Sequence, residues 1–191
     1  MDADFPAAHS MDTEWFAVDR DGQVALFLTG ENGSMPKRAQ AVSMDEVLRA
    51  LGGSQAAIEA LDSSYDEALL ELARLGLHVY EDASGDWFSG PYQRTHRPAK
   101  PLHVDQLPPS LRRQAKGVRL DALRFEEKDL LQPSDHTEGD AYGSGYLAED
   151  GKTVRPLPGK EKQYRQEVER LRQRRPGLFR KYRFEGLGEG A

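Results

Sequence analysis

Near the N-terminus, residues 15–28 read WFAVDRDGQVALFL. In this stretch two runs of aromatic, β-branched and other apolar residues flank the pair Asp21-Gly22. An Asp-Gly pair between such runs is a strong hairpin signal, because a type I′ turn needs positive φ angles that few other residues tolerate. The stretch therefore predicts two antiparallel strands at the start of the fold.

A two-residue turn also predicts the register of this hairpin. It pairs Asp19 with Val24, Val18 with Ala25 and Phe16 with Phe27. Both faces are then largely apolar, one carrying Phe16, Val18, Ala25 and Phe27 and the other Trp15, Ala17, Leu26 and Leu28. Strands that are apolar on both faces are typical of buried sheets, so we expect the hairpin to lie deep in the fold and its residues to be structural.

The rest of the chain alternates helical and extended patterns. Apolar residues at helical spacing, with Ser, Gly and Pro at the expected ends, predict about four helices within residues 43–51, 54–75, 108–116 and 159–175. Two more hairpins are predicted, one from residues 77–80 to Trp87-Phe88 and one around Asp150-Gly151, where Glu149 faces Lys152. The fold class we expect is α+β, with antiparallel hairpins packed against the helices in a single compact domain.

The domain boundaries follow from composition. We expect a flexible N-terminus at residues 1–12, one domain at 13–184 and a flexible tail at 185–191. Residues 91–109 contain Pro91, Pro98, Pro101, Pro108 and Pro109, which disfavour regular hydrogen bonding and predict an extended connection. If the domain has two lobes, at 13–90 and 110–184, this segment is the linker between them.

The charge is unevenly distributed. The net charge is −6, but residues 1–90 carry five basic and 17 acidic side chains, a balance of −12, whereas residues 91–191 carry 21 and 15, a balance of +6. Either the two halves neutralise each other by packing together, or they form two faces for different charged partners.

Several classes of protein are disfavoured by composition. The chain has no cysteine, which excludes disulfides and thiolate chemistry and suits a reducing compartment. Its first ten residues are acidic and contain Pro6, unlike a secretion signal, and no apolar run is long enough to cross a bilayer. We therefore expect a cytoplasmic protein with no membrane association.

No familiar catalytic or cofactor pattern is present. Gly151-Lys152-Thr153 lacks the upstream glycine spacing of a phosphate-binding loop, Gly-x-Ser-x-Gly is absent, and the five histidines show no metal-ligand spacing. A loop site at Asp135, His136, Glu138 and Asp140 and the carboxylate pairs Asp45-Glu46, Asp82 with Asp86 and Glu126-Glu127 are better explained as polar turns, caps or solvated groups. We expect no catalytic residue, no metal site and no cofactor.

Two segments are candidates for binding. Trp87, Phe88 and Tyr92 lie beside the proline-rich segment and could form a groove for a partner, or pack in the core. The second segment, residues 160–184, is strongly basic, and its aromatic residues Phe179 and Tyr182 could stack on nucleic-acid bases. Its candidate nucleic-acid contacts are Arg165, Arg170, Arg172, Arg174, Arg175, Arg180, Lys181 and Arg183. The alternative is that these arginines pair with the acidic half while Leu178, Phe179 and Phe184 pack on the core.

The N-terminal hairpin also resembles known proteins. Trp15 to Phe27, followed by Thr29-Gly30-Glu31 and Pro36, resembles the start of a group of poorly characterised bacterial proteins. The resemblance is confined to residues 15–36. It implies a small bacterial cytosolic protein with an accessory or interaction role, and it implies no activity and no catalytic residue.

These observations favour a non-catalytic protein-interaction module, such as an immunity-type inhibitor or a regulatory adaptor, that binds through an acidic or aromatic surface. The first alternative is a nucleic-acid-associated protein that uses residues 160–184. The second is an enzyme with an unfamiliar site around Trp87, Tyr92, His96 and His136.

Overall fold

A computed structural model describes residues 13–30, 35–83, 90–137 and 144–187, and the backbone of residues 139–140. The helices are α1 (Met44–Leu51), α2 (Gln55–Ala60), α3 (Tyr65–Arg74), α4 (Pro109–Ala115), α5 (Glu161–Arg174) and α6 (Leu178–Lys181). Short 3-10 turns lie at Val104–Gln106, Phe125–Glu127 and Pro133–Asp135. The strands are β1 (Glu14–Asp19), β2 (Val24–Leu28), β3 (Met35–Pro36), β4 (Ala41–Val42), β5 (His78–Asp82), β6 (Tyr92–His96), β7 (Arg119–Leu120), β8 (Leu130–Leu131), β9 (Gly139–Asp140), β10 (Gly145–Leu147), β11 (Thr153–Pro156) and β12 (Arg183–Phe184).

The expected fold class is confirmed: the chain is a single compact α+β domain with mainly antiparallel sheets. Its main sheet has the order β4-β1-β2-β5-β6-β8, and β7 also pairs with β1. β2 and β5 are parallel, because α1, α2 and α3 return the chain to the same end of the sheet before β5 begins. A smaller sheet has the order β10-β11-β12, and β3 pairs with β9.

The N-terminal hairpin forms as predicted but in another register. The predicted pairing is wrong by one residue: Val18 pairs with Val24, Phe16 with Leu26 and Trp15 with Phe27. The turn contains three residues rather than two, with the Gly22 N–H donating to Asp19 O and Gly22 at φ 80°. A three-residue loop that ends in a left-handed glycine is the common alternative to the two-residue turn. A shift of one residue exchanges the faces of β2 relative to β1.

The prediction that the hairpin is covered on both sides is confirmed. One face packs with the helices in a core that includes Phe16, Val18, Leu26, Leu48, Leu69 and Leu72. The other face packs in a core that includes Trp15, Phe27, Tyr80, Tyr92, Phe125 and Leu131. β1 and β2 are therefore the central layer of the domain.

Two predicted elements differ in the structure. The helix expected at residues 54–75 is divided, because α2 ends at Ala60 and α3 begins at Tyr65. Between them lies the polar turn Asp62-Ser63-Ser64, whose residue types compete with helical hydrogen bonds. Within the proline-rich segment, Tyr92–His96 form β6, which lies between β5 and β8 in the main sheet, since no proline lies inside this stretch.

The C-terminal elements follow the predicted pattern. β10 and β11 pair as an antiparallel hairpin. α5 buries Tyr164, Val168 and Leu171, the three residues that its periodicity predicted. None of the helices in the described residues has the length and apolar character needed to cross a bilayer.

Candidate functional site

A cleft opens at one end of the main sheet, where β1 begins and β2 and β5 end. Its volume is about 430 Å³, and its lining residues are Thr13, Glu14, Leu28, Thr29, Gly30, Tyr65, Glu81 and Asp82. We call this feature the acidic cleft, because its lining residues in the described part of the chain include three carboxylates and no basic side chain.

The register of the sheet brings the acidic residues together. Glu14 pairs with Leu28 across β1 and β2, and Leu28 pairs with Glu81 across β2 and β5. Glu14 and Glu81 therefore lie on either side of the same β2 residue, although 67 positions separate them in the sequence. Asp82 follows Glu81 at the end of β5.

Backbone contacts hold the floor of the acidic cleft in place. The Thr29 N–H donates to Thr13 O at 3.0 Å, and the Thr13 N–H donates to the Thr29 hydroxyl at 3.0 Å. Gly30 adopts φ 51°, and a Cβ at this position would lie 3.9 Å from Cβ of Asp82. The cleft is thus built on the ends of paired strands, which position side chains more rigidly than a loop does.

Tyr65 lines the acidic cleft from the first turn of α3. Its side chain is 42% exposed, whereas most large apolar residues of the described chain are buried. An exposed aromatic ring beside carboxylates can contact both the aliphatic stem and the charged head of a Lys or Arg side chain.

The expected aromatic groove is only partly within the described residues. Tyr92 is fully buried: its ring lies 5.2 Å from Phe27 and 6.0 Å from Trp15, and its hydroxyl accepts a 3.4 Å hydrogen bond from Trp15 Nε1. Burial raises the pKa of Tyr92 well above its usual value. Tyr92 therefore belongs to the core and not to a binding surface, as the core-packing alternative predicted.

Trp87 and Phe88 lie outside the described residues, as do Asp86, Glu138, the predicted flexible segment 1–12 and the end of the predicted tail.

The basic candidate residues lie on the surface. Arg174, Arg175, Arg180, Lys181 and Arg183 are exposed, and the Arg172 side chain is 38% exposed. Arg172 pairs with Glu169 at 3.9 Å, and Arg183 pairs with Asp150 at 3.6 Å. Between described residues, no ion pair joins the segment 160–187 to residues 13–83, so neutralisation by the acidic half is not observed there.

The aromatic residues of this basic segment serve packing. Tyr182 is 8% exposed, and the Phe179 ring stacks on Phe184 at 4.4 Å while Arg172 lies over it at 5.3 Å. Tyr182 cannot stack on a base without leaving its core position, so the expectation that it does is wrong. Phe179 and Phe184 pack against the small core of the C-terminal sheet.

His96 and His136, the histidines of the enzyme alternative, lie in separate pairs with carboxylates. Nε2 of His136 lies 2.6 Å from Glu149, and Nε2 of His96 lies 3.5 Å from the exposed Asp66. Glu149 also accepts from Lys128 Nζ at 2.7 Å, so its partners are Lys128 and His136 rather than the predicted Lys152. Among the described residues, no cluster of His, Asp or Glu is arranged to hold a metal ion. His96 and His136 also line neither the acidic cleft nor the other cleft described below.

Sequence reasoning considered Asp82 but missed Glu14, Tyr65 and Glu81. The sequence feature that could have indicated an acidic site was the excess of acidic residues in the first half of the chain. Comparison of the chain with protein-family models, with curated proteins and with solved structures finds no match, so its function is inferred from the residues of its sites.

Proposed function

We propose that this protein is a non-catalytic interaction module that binds a basic segment of another protein in the acidic cleft. The module is a regulatory adaptor or an immunity-type inhibitor, and the proposal places the protein in the bacterial cytosol. The lack of cysteine suits that compartment.

One observation carries the proposal. Among the described residues that line this concave site, Glu14, Glu81 and Asp82 are carboxylates and none is basic, and Tyr65 is exposed in the lining. Like charges that are held together in a cleft repel one another and focus a negative potential, which attracts a cationic ligand. Complementary charge of this kind raises the association rate and the specificity of protein complexes.

The size of the acidic cleft favours a short stretch of side chains over a whole domain surface. A volume of about 430 Å³ accommodates one or two side chains of a partner. A Lys or Arg beside an apolar residue fits both the carboxylates and the tyrosine ring, in the manner of an anchor residue in a protein interface.

The test compares capture of proteins from a lysate of the source cells by tagged variants, after nuclease treatment. In Glu81→Gln/Asp82→Asn two cleft carboxylates become neutral. In the matched control, Glu46→Gln/Asp62→Asn, the same charge is lost at exposed positions outside the cleft. We expect a stoichiometric protein partner with the wild type and the control, and loss of that partner with the cleft variant. Equal capture by all three proteins contradicts the proposal.

A second candidate function rests on the exposed basic face of α5 and α6, which could contact nucleic-acid phosphates. Replacing Arg172, Arg174, Arg175 and Lys181 by Glu should then abolish a binding that weakens steeply with salt. Binding that is absent, or that does not depend on salt, removes this candidate.

A further inference from the structure

A second cleft lies on another part of the surface, between the turn after β3 and the segment that leads from α4 into β7. Its volume is about 550 Å³, and its lining residues are Pro36, Lys37, Arg38, Lys116, Gly117, Val118, Arg119, Asp121 and Thr137. We call it the basic cleft, because its lining contains four cations and one carboxylate.

The described residues neutralise only part of the charge of the basic cleft. Arg119 forms an ion pair with Asp121, with 2.8 Å between Nη2 and Oδ1, and Lys116 pairs with Asp105 at 3.1 Å. No described residue forms an ion pair or hydrogen bond with the side chain of Lys37 or Arg38. Lys37 and Arg38 therefore line the cavity with no counter-ion among the described residues.

The cluster of basic residues in this cleft contrasts with the net negative charge of the chain. The protein has a net charge of −6, and its first 90 residues contain only five basic side chains, of which Lys37 and Arg38 are two. Folding then places them beside Lys116 and Arg119 from the second half. Bringing like charges together costs free energy, and a bound anion offsets that cost.

The walls of the basic cleft are fixed by the backbone. A Cβ at Gly117 would lie 2.9 Å from Arg38 O, so only a glycine lets the two walls approach this closely. The Val18 N–H donates to Val118 O at 3.0 Å, which ties one wall to the central strand β1. The Ala39 N–H donates to Pro36 O at 2.9 Å and closes the turn that carries Lys37 and Arg38. A site whose walls are already in place loses little freedom on binding.

We propose that the basic cleft binds a small molecule that carries two or more adjacent phosphates. Guanidinium groups match phosphate oxygens in pairs, and lysine ammonium groups add point charges. The cavity lies within the usual range for small-ligand sites, and its concave shape favours a compact ligand over an extended polymer. The Thr137 hydroxyl at the edge of the cavity can add a hydrogen bond. This site is separate from the acidic cleft and does not depend on the proposed function.

The test is calorimetric titration of the 191-residue chain with sodium pyrophosphate and, separately, with adenosine diphosphate in 0.15 M salt. The variant is Lys37→Gln/Arg38→Gln, and the matched control is Arg20→Gln/Lys100→Gln, which removes one exposed arginine and one exposed lysine that line neither cleft. We expect saturable one-to-one binding that weakens at least tenfold in the cleft variant and less than twofold in the control. Tighter binding of adenosine diphosphate identifies a nucleotide as the source of the phosphates, whereas equal binding identifies the phosphates alone as the ligand.

Three results overturn the proposal. The first is no saturable binding of either probe, and the second is equal weakening in the two variants. The third is binding of a single-stranded oligonucleotide without binding of pyrophosphate, which would assign the cleft to a polymer. Far-UV circular dichroism checks that each variant is folded, and Lys37→Gln alone serves as a milder second variant, for which a smaller loss of affinity is expected.

Discussion

Gly52 and Gly76 both follow a helix with positive φ, at 79° and 102°, but their surroundings differ. A Cβ at Gly52 would meet no atom within 4 Å, whereas one at Gly76 would lie 2.9 Å from Leu102 Cβ and 3.0 Å from Lys100 O. The first glycine is needed only for its backbone angle. The second also lets the segment 100–102 pack against the end of α3.

Alanine substitutions separate these two requirements. We expect Gly52→Ala to lower the free energy of unfolding by about 1 kcal/mol, the usual cost of a left-handed non-glycine residue. Gly76→Ala should cost about 3 kcal/mol, because backbone and Cβ atoms must also move. Urea denaturation at pH 7 measures both, and equal costs would contradict the packing described for Gly76.

His78 is a buried histidine that stays neutral in the folded protein. Its Nε2 lies 2.9 Å from Gln23 Oε1, and no described residue hydrogen-bonds its Nδ1. Burial, together with the charges of Arg94 and Arg97, lowers the pKa of His78 to about 4. In the unfolded chain its pKa is about 6.5.

Acid should therefore destabilise the protein through His78. Between pH 6.5 and 4 the unfolded chain binds a proton that the folded protein does not, so stability falls as the pH falls, by up to about 3 kcal/mol. In His78→Leu this contribution is removed. We expect the wild type to lose more stability than the variant between pH 7 and 4.5 in urea titrations. Parallel losses in the two proteins would show that His78 is not the responsible group.

At the scale of elements, Glu149 joins three parts of the chain. It follows β10 and accepts hydrogen bonds from Lys128 Nζ, from His136 Nε2 and, at 3.2 Å, from the Gln132 backbone N–H. Burial opposes its negative charge, but these hydrogen bonds outweigh that effect and lower the pKa of Glu149 to about 2. The carboxylate thus ties the C-terminal hairpin to the main sheet.

Glu149→Gln should weaken this connection. A carboxylate with a lowered pKa stabilises the fold above its unfolded pKa of about 4.5, and this contribution is lost as the pH falls towards 2. We expect the variant to be less stable than the wild type by about 2 kcal/mol at pH 7, after allowance for partial exposure, and the difference to shrink by pH 3. Glu126→Gln, at an exposed position, is the control and should have almost no effect. A difference that is constant with pH would contradict the ionic role of Glu149.

The elements also show what local patterns can predict. The β1–β2 hairpin, α1, α5 and the β10–β11 hairpin follow from apolar periodicity and turn residues. The register of the β1–β2 hairpin does not follow from local patterns. Arg20-Asp21-Gly22 and Asp21-Gly22 are both acceptable loops, and the choice between them depends on tertiary contacts. One such contact is the Asp19 carboxylate, which accepts from Gln23 N at 2.9 Å and from Phe125 N at 2.9 Å. A partner 106 residues away has no local sequence signal.

Across the whole molecule, neither cleft could be predicted from the sequence, because each combines residues that lie far apart in the chain. Glu14 and Glu81 meet through the β1–β2–β5 register, and Arg38 meets Arg119 through the packing of β7 on β1. Composition predicted an acidic half and a basic half. Only the topology shows that a basic cleft contains two of the few cations of the acidic half.

The domain should also unfold as one unit. The C-terminal sheet has its own small core, but Gln132 Nε2 donates to Gly90 O and Leu147 O, and Asp135 pairs with Arg155. We expect coincident urea transitions by far-UV circular dichroism, which follows the helices, and by fluorescence of Trp15 in a Trp87→Phe variant. An earlier loss of helical signal would show instead that α5 and its sheet unfold independently.

Site-specific photo-crosslinking shows whether a protein partner contacts the acidic cleft. A photoreactive phenylalanine replaces Tyr65 in one protein and Leu70 in another. Both positions lie on α3 and are similarly exposed, at 42% and 41%, but only Tyr65 lines the acidic cleft. After irradiation in nuclease-treated lysate, we expect one dominant protein adduct at position 65 and no such adduct at position 70. The adduct at position 65 should be lost when Glu81→Gln/Asp82→Asn is added. The same adducts at both positions, or none at position 65, would contradict the proposed contact.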